Sequence, residues 1–141
     1  MSKLLFHSCP VEKQDRKKLG KAGEAIACKY LKRLGYIIIA KNYSTKIGEI
    51  DIIAKDGDTL VFVEVKTRRS DAYGRPEEAI NAKKKRKLSR LAQLYIKNKN
   101  LYDKKARFDV VAILARSASA FNNEFDKKTI RLIKNAFYVK D

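Results

Sequence analysis

Two runs flank the turn signal Asp56-Gly57-Asp58: Gly48-Glu49-Ile50-Asp51-Ile52-Ile53-Ala54 before it and Val61-Phe62-Val63-Glu64-Val65-Lys66 after it. Both are apolar enough to read as buried strands, and the Asp-Gly step between them reads as a hairpin. Each run nevertheless carries charge at alternate positions, Glu49 and Asp51 on the first, Glu64 and Lys66 on the second. Side chains two apart on a strand share a face, so the hairpin gathers carboxylates and one lysine into a single patch. A turn centred on Gly57-Asp58, or on the four residues Asp56 to Thr59, sets Asp51 opposite Glu64 and Glu49 opposite Lys66. A turn at Asp56-Gly57 sets Glu49 opposite Glu64, with Asp51 diagonal to it. Each even-length loop keeps the four charges on one face beside Ile53 and Phe62; only an odd-length loop offsets them. Unpaired charge is costly to bury, which points to a partner such as a divalent cation. An exposed sheet face with cross-strand ion pairs explains the bare spacing equally well.

The rest of the chain reads as α/β. Residues 1–14 read as a flexible leader and residues 15–141 as a single domain, a size that buries roughly two-thirds of its unfolded surface without a disulfide or metal staple. Asp15 to Leu34 has helical periodicity, with Leu19, Gly23, Ile26, Tyr30 and Leu34 on the stripe, Ala22, Ala27 and Leu31 flanking it, and Gly35 as the stop. Glu24 falls on the flank of that stripe; pattern alone makes it a boundary residue paired with Lys21 or Lys17. Tyr36 to Tyr43 reads as a strand, and residues 47–55 and 59–67 as the hairpin. Pro76 suits the first turn of a second helix reaching Lys99, with Glu77 and Glu78 complementing its dipole. Arg107 to Ala115 is a further strand, Ser117 to Asp126 a polar loop, and Thr129 to Val139 a last strand. The expected order is α-β-β-β-α-β-β, a mixed sheet flanked by helices.

Charge narrows the function. The chain carries 33 basic and 16 acidic residues, a formal net charge of +17. That excess predicts attraction to polyanions, nucleic acid first and an anionic membrane surface second. From Asn81 to Arg107, eleven basic residues accompany one acid, Asp103. Lys83, Lys84, Lys85, Arg86, Lys87 and Arg90 form the densest cluster, and Arg68 and Arg69 directly follow the second hairpin strand. These are the expected nucleic-acid contacts, of a kind that grips the backbone without reading sequence. A solvated helix face is the plainer account of such a run, but five consecutive basic residues cannot all face away from a core. Two cysteines without CxxC spacing and a single histidine, His7 in the leader, exclude ordinary zinc sites and histidine-based hydrolysis. No apolar stretch approaches the ~20 residues of a membrane span, and Leu4-Leu5-Phe6 is too short for a signal core of about 7–15 residues. The expected location is the cytoplasm, with no membrane partner.

An acid on one strand, E-x-K on the next and a preceding helical glutamate resemble the PD-(D/E)xK nuclease superfamily. Asp51, Glu64 and Lys66 match its motif, and Glu24 matches the helical glutamate of the branch similar to Holliday junction resolvases. More closely, Gly20 to Glu24, Gly48 to Ala54, Phe62 to Arg68, Gly74 to Ile80, Arg107 to Val111 and Asn135-Ala136-Phe137 resemble the YraN family of small bacterial endonuclease-like proteins. The resemblance spans Leu19 to Phe137; Ile50 stands where the superfamily pattern often has proline. It implies a restriction-endonuclease-like core and a metal-dependent endonuclease with catalytic Asp51, Glu64, Lys66 and Glu24. Mg²⁺ or Mn²⁺ would be held by Asp51, Glu64 and Glu24, with the Val65 carbonyl beside them. It implies DNA ahead of RNA as substrate, branched or single-stranded, and a homodimer as an assembly to consider. Glu49 is expected outside the metal's direct ligands, and Asp109 in a structural role. The alternative is a non-catalytic nucleic-acid-binding module of the same fold.

Overall fold

The hairpin turns on two residues, Gly57 and Asp58, with Asp56 paired to Thr59; Gly57 takes the left-handed φ of 59° that a tight turn requires. The computed structural model describes residues 10–68, 80–114 and 129–137. Its elements are α1 (Pro10–Arg33), β1 (Ile37–Ser44), β2 (Glu49–Asp56), β3 (Thr59–Arg68), α2 (Ala82–Lys99), β4 (Ala106–Leu114) and β5 (Ile130–Phe137). This is the expected α-β-β-β-α-β-β order, in one five-stranded mixed sheet ordered β1-β2-β3-β4-β5. Among the described strands only β3 and β4 run parallel, with α2 between them in sequence; the other pairs are antiparallel.

Alternation along β3 and β4 splits the core into two layers. Leu60, Phe62, Phe108 and Val110 face α2, which contributes Leu88, Leu91, Ala92 and Tyr95. Val61, Val63, Val111 and Ile113 face α1, which contributes Ala27, Cys28 and Leu31. The buried stripe of α1 therefore differs from the expected one. Leu34 is half exposed, and the packed line runs through the small residues Gly23, Ala27 and Cys28 to Leu31. Small side chains win because the helix lies close to the sheet: a Cβ on Gly23 would stand 2.0 Å from Thr67 Oγ1. Glu24 thereby moves from the edge of the helix to the margin of the sheet.

Two helix starts also differ. α1 begins at Pro10 rather than Asp15; proline's fixed φ and missing N–H suit a first turn. α2 begins at Ala82 rather than near Pro76, because Asn81 caps it, its side-chain oxygen accepting the Lys84 N–H at 2.8 Å. Pro76, Glu77, Glu78 and the expected polar loop lie outside the described residues, as do residues 1–9 of the expected leader. Both helices end in the same device. Gly35 at φ 96° and Asn100 at φ 52° turn the chain, and the following N–H groups, of Tyr36 and Leu101, bond back to the carbonyls of Leu31 and Ile96.

A second buried polar feature holds the far strands. Asp109, fully buried, accepts from Tyr36 Oη at 3.0 Å, from Arg107 Nε at 3.0 Å and from the Asn135 amide at 2.9 Å. Arg107 also donates to Asp56 at 2.6 Å. Asn135, at φ 53°, sits where the β4–β5 register shifts, so Asp109 satisfies an amide that the bulge removes from the ladder. The Arg107 hydrogen bond holds Asp56 below the usual carboxylate range. Burial, then the Asp109 charge, pushes the Tyr36 phenol up. The bonds from Tyr36, Arg107 and Asn135 to Asp109 tie β1, β4 and β5 together, which is a structural role.

Candidate metal centre

The β2–β3 ladder runs in phase from Asp56↔Thr59 to Ile52↔Val63 and stops. The next residues are Asp51 and Glu64. They do not pair through their backbones; the Asp51 carboxylate accepts the Val65 N–H at 2.8 Å instead. The expected cross-strand pairs Asp51↔Glu64 and Glu49↔Lys66 are therefore corrected. The side-chain acceptor displaces the backbone acceptor, and the strands separate where the charges lie. The alternation of β2 slips at the same place: Ile50 packs under α2, whereas Ile52 packs under α1. The four charges consequently do not share one flat face with Ile53 and Phe62.

The neighbouring strand supplies the matching irregularity. Asn42 lies between Lys41 and Tyr43, whose partners are Ile52 and Ile50, so it faces Asp51. Its φ of 51° is a left-handed backbone that asparagine tolerates better than most residues. With its amide nitrogen turned toward the acids, Asn42 donates to Glu24 Oε2 at 2.9 Å and to Glu49 Oε1 at 2.8 Å. Ser44 Oγ donates to the other Glu49 oxygen at 3.2 Å. Glu24, Glu49 and Asp51 each place a carboxylate oxygen within 4.8 Å of the others.

Glu64 stands beside this trio rather than in it. It is 6 % exposed, and its Oε1 takes two ammonium groups, Lys84 at 3.2 Å and Lys66 at 3.5 Å. Its Oε2 is buried and has no hydrogen-bond partner among the described residues. A buried carboxylate oxygen left unpaired costs on the order of 1–3 kcal/mol. The Lys84 pair, with 40 % of its side chain exposed, returns about 0.2–1 kcal/mol. Both ammonium groups meet Oε1, so neither ion pair reaches the unpartnered Oε2.

Electrostatics record the crowding. Desolvation, then the Glu64 charge, raises Asp51 from 3.8 to about 7 against the opposing Val65 hydrogen bond. Burial and the Glu49 charge raise Glu24, opposed by the Asn42 hydrogen bond. Four carboxylates on this site meet two close ammonium groups. The clustered donors of Glu24, Glu49 and Asp51 are hard oxygens, a set that suits a small divalent ion, and the unpartnered Glu64 oxygen lies alongside it.

Of the expected site residues, Glu24 and Asp51 come together, Glu64 and Lys66 lie alongside, and Glu49 takes a place expected for Glu64. Glu24 takes its hydrogen bond from Asn42, and Lys21 acts on it by charge rather than at ion-pair distance. Sequence reading missed Asn42, whose one signal was a turn-former inside a β-branched strand.

The basic run divides over the surface of α2. Lys84 reaches Glu64, and the Lys87 stem lies against Gly48, where a Cβ would meet Lys87 Cδ at 3.2 Å. Lys85 sits over the Phe137 ring at 5.8 Å, turned from the acids. Lys83, Arg86 and Arg90 are exposed, and Arg68 is half-buried at the end of β3. Arg69 lies outside the described residues. Among the described residues, no helix is long and apolar enough to cross a membrane.

The fold and this acidic break define a small α/β protein with a candidate cation site between two strands. The family model described as "Uncharacterised protein family UPF0102" matches residues 23–113, a span that holds every acid and lysine of the site. The chain is 49% identical over 121 residues to a UPF0102 protein of Clostridium tetani, covering 86% of this chain and 94% of that one. It is 47% identical over 121 residues to a UPF0102 protein of Geotalea uraniireducens, covering 86% and 95%. It is also 47% identical over 118 residues to one of Syntrophus aciditrophicus, covering 84% and 87%. The chain belongs to the UPF0102 family, the group its YraN-like motifs indicated.

Proposed function

We propose that this protein is a metal-dependent nuclease that hydrolyses phosphodiester bonds of DNA, branched or single-stranded, in the cytoplasm. The observation that carries the reading is the buried, unpartnered Glu64 Oε2 beside Glu24, Glu49 and Asp51, at the end of a basic helix. Glu24, Glu49, Asp51 and Glu64 are the residues to hold Mg²⁺ or Mn²⁺. Such an ion acidifies a water and offsets charge on the scissile phosphate. The protein's own groups supply the rest. Asn42 and the Val65 amide fix the carboxylates through hydrogen bonds to Glu24, Glu49 and Asp51. Lys66, tied to Glu64 at 3.5 Å, orients the attacking water or stabilises charge that develops on the phosphate. Lys83, Arg86 and Arg90 attract the backbone from the exposed side of α2. The buried free thiol of Cys28 suits a reducing compartment.

The test compares wild type with Asp51→Asn and Glu64→Ala on a panel of nicked, flapped, four-way, single-stranded and duplex DNA and matching RNAs, with Mg²⁺ and with Mn²⁺. The expected result is cleavage of a structured or single-stranded DNA by wild type alone. Tight binding without cleavage across the panel makes this chain a nucleic-acid-binding module instead.

A further inference from the structure

Lys84 belongs to the helix that should grip nucleic acid, yet its ammonium is spent on a carboxylate of the candidate metal centre. Its backbone is fixed, because its N–H is the one that Asn81 caps at 2.8 Å. From there its Nζ reaches Glu64 Oε1 at 3.2 Å, an oxygen that Lys66 already holds at 3.5 Å. Two cations thus share one oxygen while Oε2, buried, has none among the described residues. Lys66 shares β3 with Glu64, two residues away; Lys84 comes from another element and is 40 % exposed against 27 % for Lys66. Lys84 is therefore the partner free to leave. One turn further along α2, the Lys87 stem lies against Gly48, next to Glu49, so this edge of the helix borders both the acids and the open surface.

We infer that Lys84 couples metal and nucleic acid: it neutralises Glu64 in the metal-free protein and turns to a backbone phosphate when a divalent ion takes over the carboxylate. This rests on the metal-centre reading above. Removing the ammonium should ease metal entry, and metal entry should release the ammonium for phosphate. Linkage makes the effect reciprocal, each ligand strengthening the other by the same factor.

The experiment uses the full chain with two probes. Calorimetry measures Mn²⁺ alone; anisotropy measures a labelled single-stranded oligonucleotide with and without Ca²⁺. Lys84→Met should bind Mn²⁺ at least about fivefold more tightly than wild type, and its oligonucleotide affinity should lose the gain that Ca²⁺ gives wild type. Lys97→Met, which removes an exposed charge in the last turn of α2, should retain wild-type Mn²⁺ affinity and the Ca²⁺ gain. Lys84→Arg, which keeps the charge, should also couple the two ligands. Unchanged Mn²⁺ affinity in Lys84→Met, or equal tightening in Lys97→Met, overturns the role of Lys84 and leaves the metal centre standing. A wild type that takes up no Mn²⁺ at millimolar concentration overturns the metal centre itself, and this inference with it.

Discussion

The carboxylate of Asp51 accepts the backbone N–H of Val65 at 2.8 Å, and the β2–β3 ladder ends one pair short of it, at Ile52↔Val63. A strand amide has been taken from its neighbour by a side chain. The bond orients Asp51 and opens the gap around which Glu24, Glu49 and Glu64 collect.

Asp51 should make the metal-free protein less stable as pH rises. Its pKa is near 7 when folded, against 3.8 for an ordinary aspartate. Below about pH 4 both states hold the proton. Between about 4 and 7 the folded state keeps a proton that the unfolded chain has released, so stability falls as pH rises, and it stays lower above 7. Asp51→Asn keeps an acceptor for Val65 and removes this penalty. Without metal at pH 8 it should be more stable than wild type, by on the order of a few kcal/mol, and no more stable near pH 4. Denaturant melts at the two pH values check this. Mn²⁺ affinity of wild type should rise with pH through 7, since binding expels that proton.

Gly23 sets how near Glu24 comes. Gly23→Ala places a Cβ 2.0 Å from Thr67 Oγ1, so the helix must lift or Thr67 must move, costing roughly 1–3 kcal/mol. Adding Thr67→Ala removes the clashing oxygen and should restore most of the stability, because the next contact is the Thr67 Cβ at 3.2 Å. Thermal melts of the single and double variants read this; equal loss in both would place the strain elsewhere.

Asp109 should matter to folding and not to metal uptake. It is fully buried with three groups donating to it. Asp109→Ala leaves Arg107 short of a charge partner and should destabilise by about 3–5 kcal/mol. Under conditions where the variant remains folded, Mn²⁺ affinity by calorimetry should match wild type.

Asn42 should be felt as a change in the acids. Asn42→Ala removes the amide bridging Glu24 and Glu49 and replaces a residue at φ 51°. Asn42→Gly keeps the backbone freedom and loses only the bridge. If the bridge matters, both variants should lose Mn²⁺ affinity; loss in Asn42→Ala alone would assign the effect to backbone strain.

Replacing Lys83 to Lys87 together by neutral residues should weaken binding to DNA and flatten its dependence on salt. A titration at several salt concentrations decides this; an unchanged slope would put the binding face elsewhere.

The elements most legible in the sequence were the apolar runs between turn residues. The hairpin and the strand around Phe108 follow from such runs; of the turns that the Asp56-Gly57-Asp58 signal left open, the structure takes Gly57-Asp58. The stripe of α1 was partly legible: Gly23 lies on the expected line, but the packed side shifts from Ile26, Tyr30 and Leu34 to the flanking Ala27 and Leu31. Close approach to Thr67 selects the small residues. The α2 start was masked by Pro76, while Asn81, the true cap, looks like any polar residue. At the candidate site, Glu24, Asp51, Glu64 and Lys66 were named, but not their arrangement. The ladder break depends on one carboxylate outcompeting a carbonyl for the Val65 amide, and the place of Glu49 depends on Asn42 across the sheet. Neither leaves a periodic trace. The reach of Lys84 to Glu64 is tertiary, and a charge run gives no sign of which lysine turns inward.

The central claim is that the break at Asp51 forms a divalent-cation site. Anomalous diffraction from crystals soaked in Mn²⁺ tests it most directly. The account predicts a strong peak bounded by carboxylate oxygens of Glu24, Glu49, Asp51 and Glu64, lost in Asp51→Asn. A well-ordered site at pH 8 in millimolar Mn²⁺, with no peak there, would contradict it.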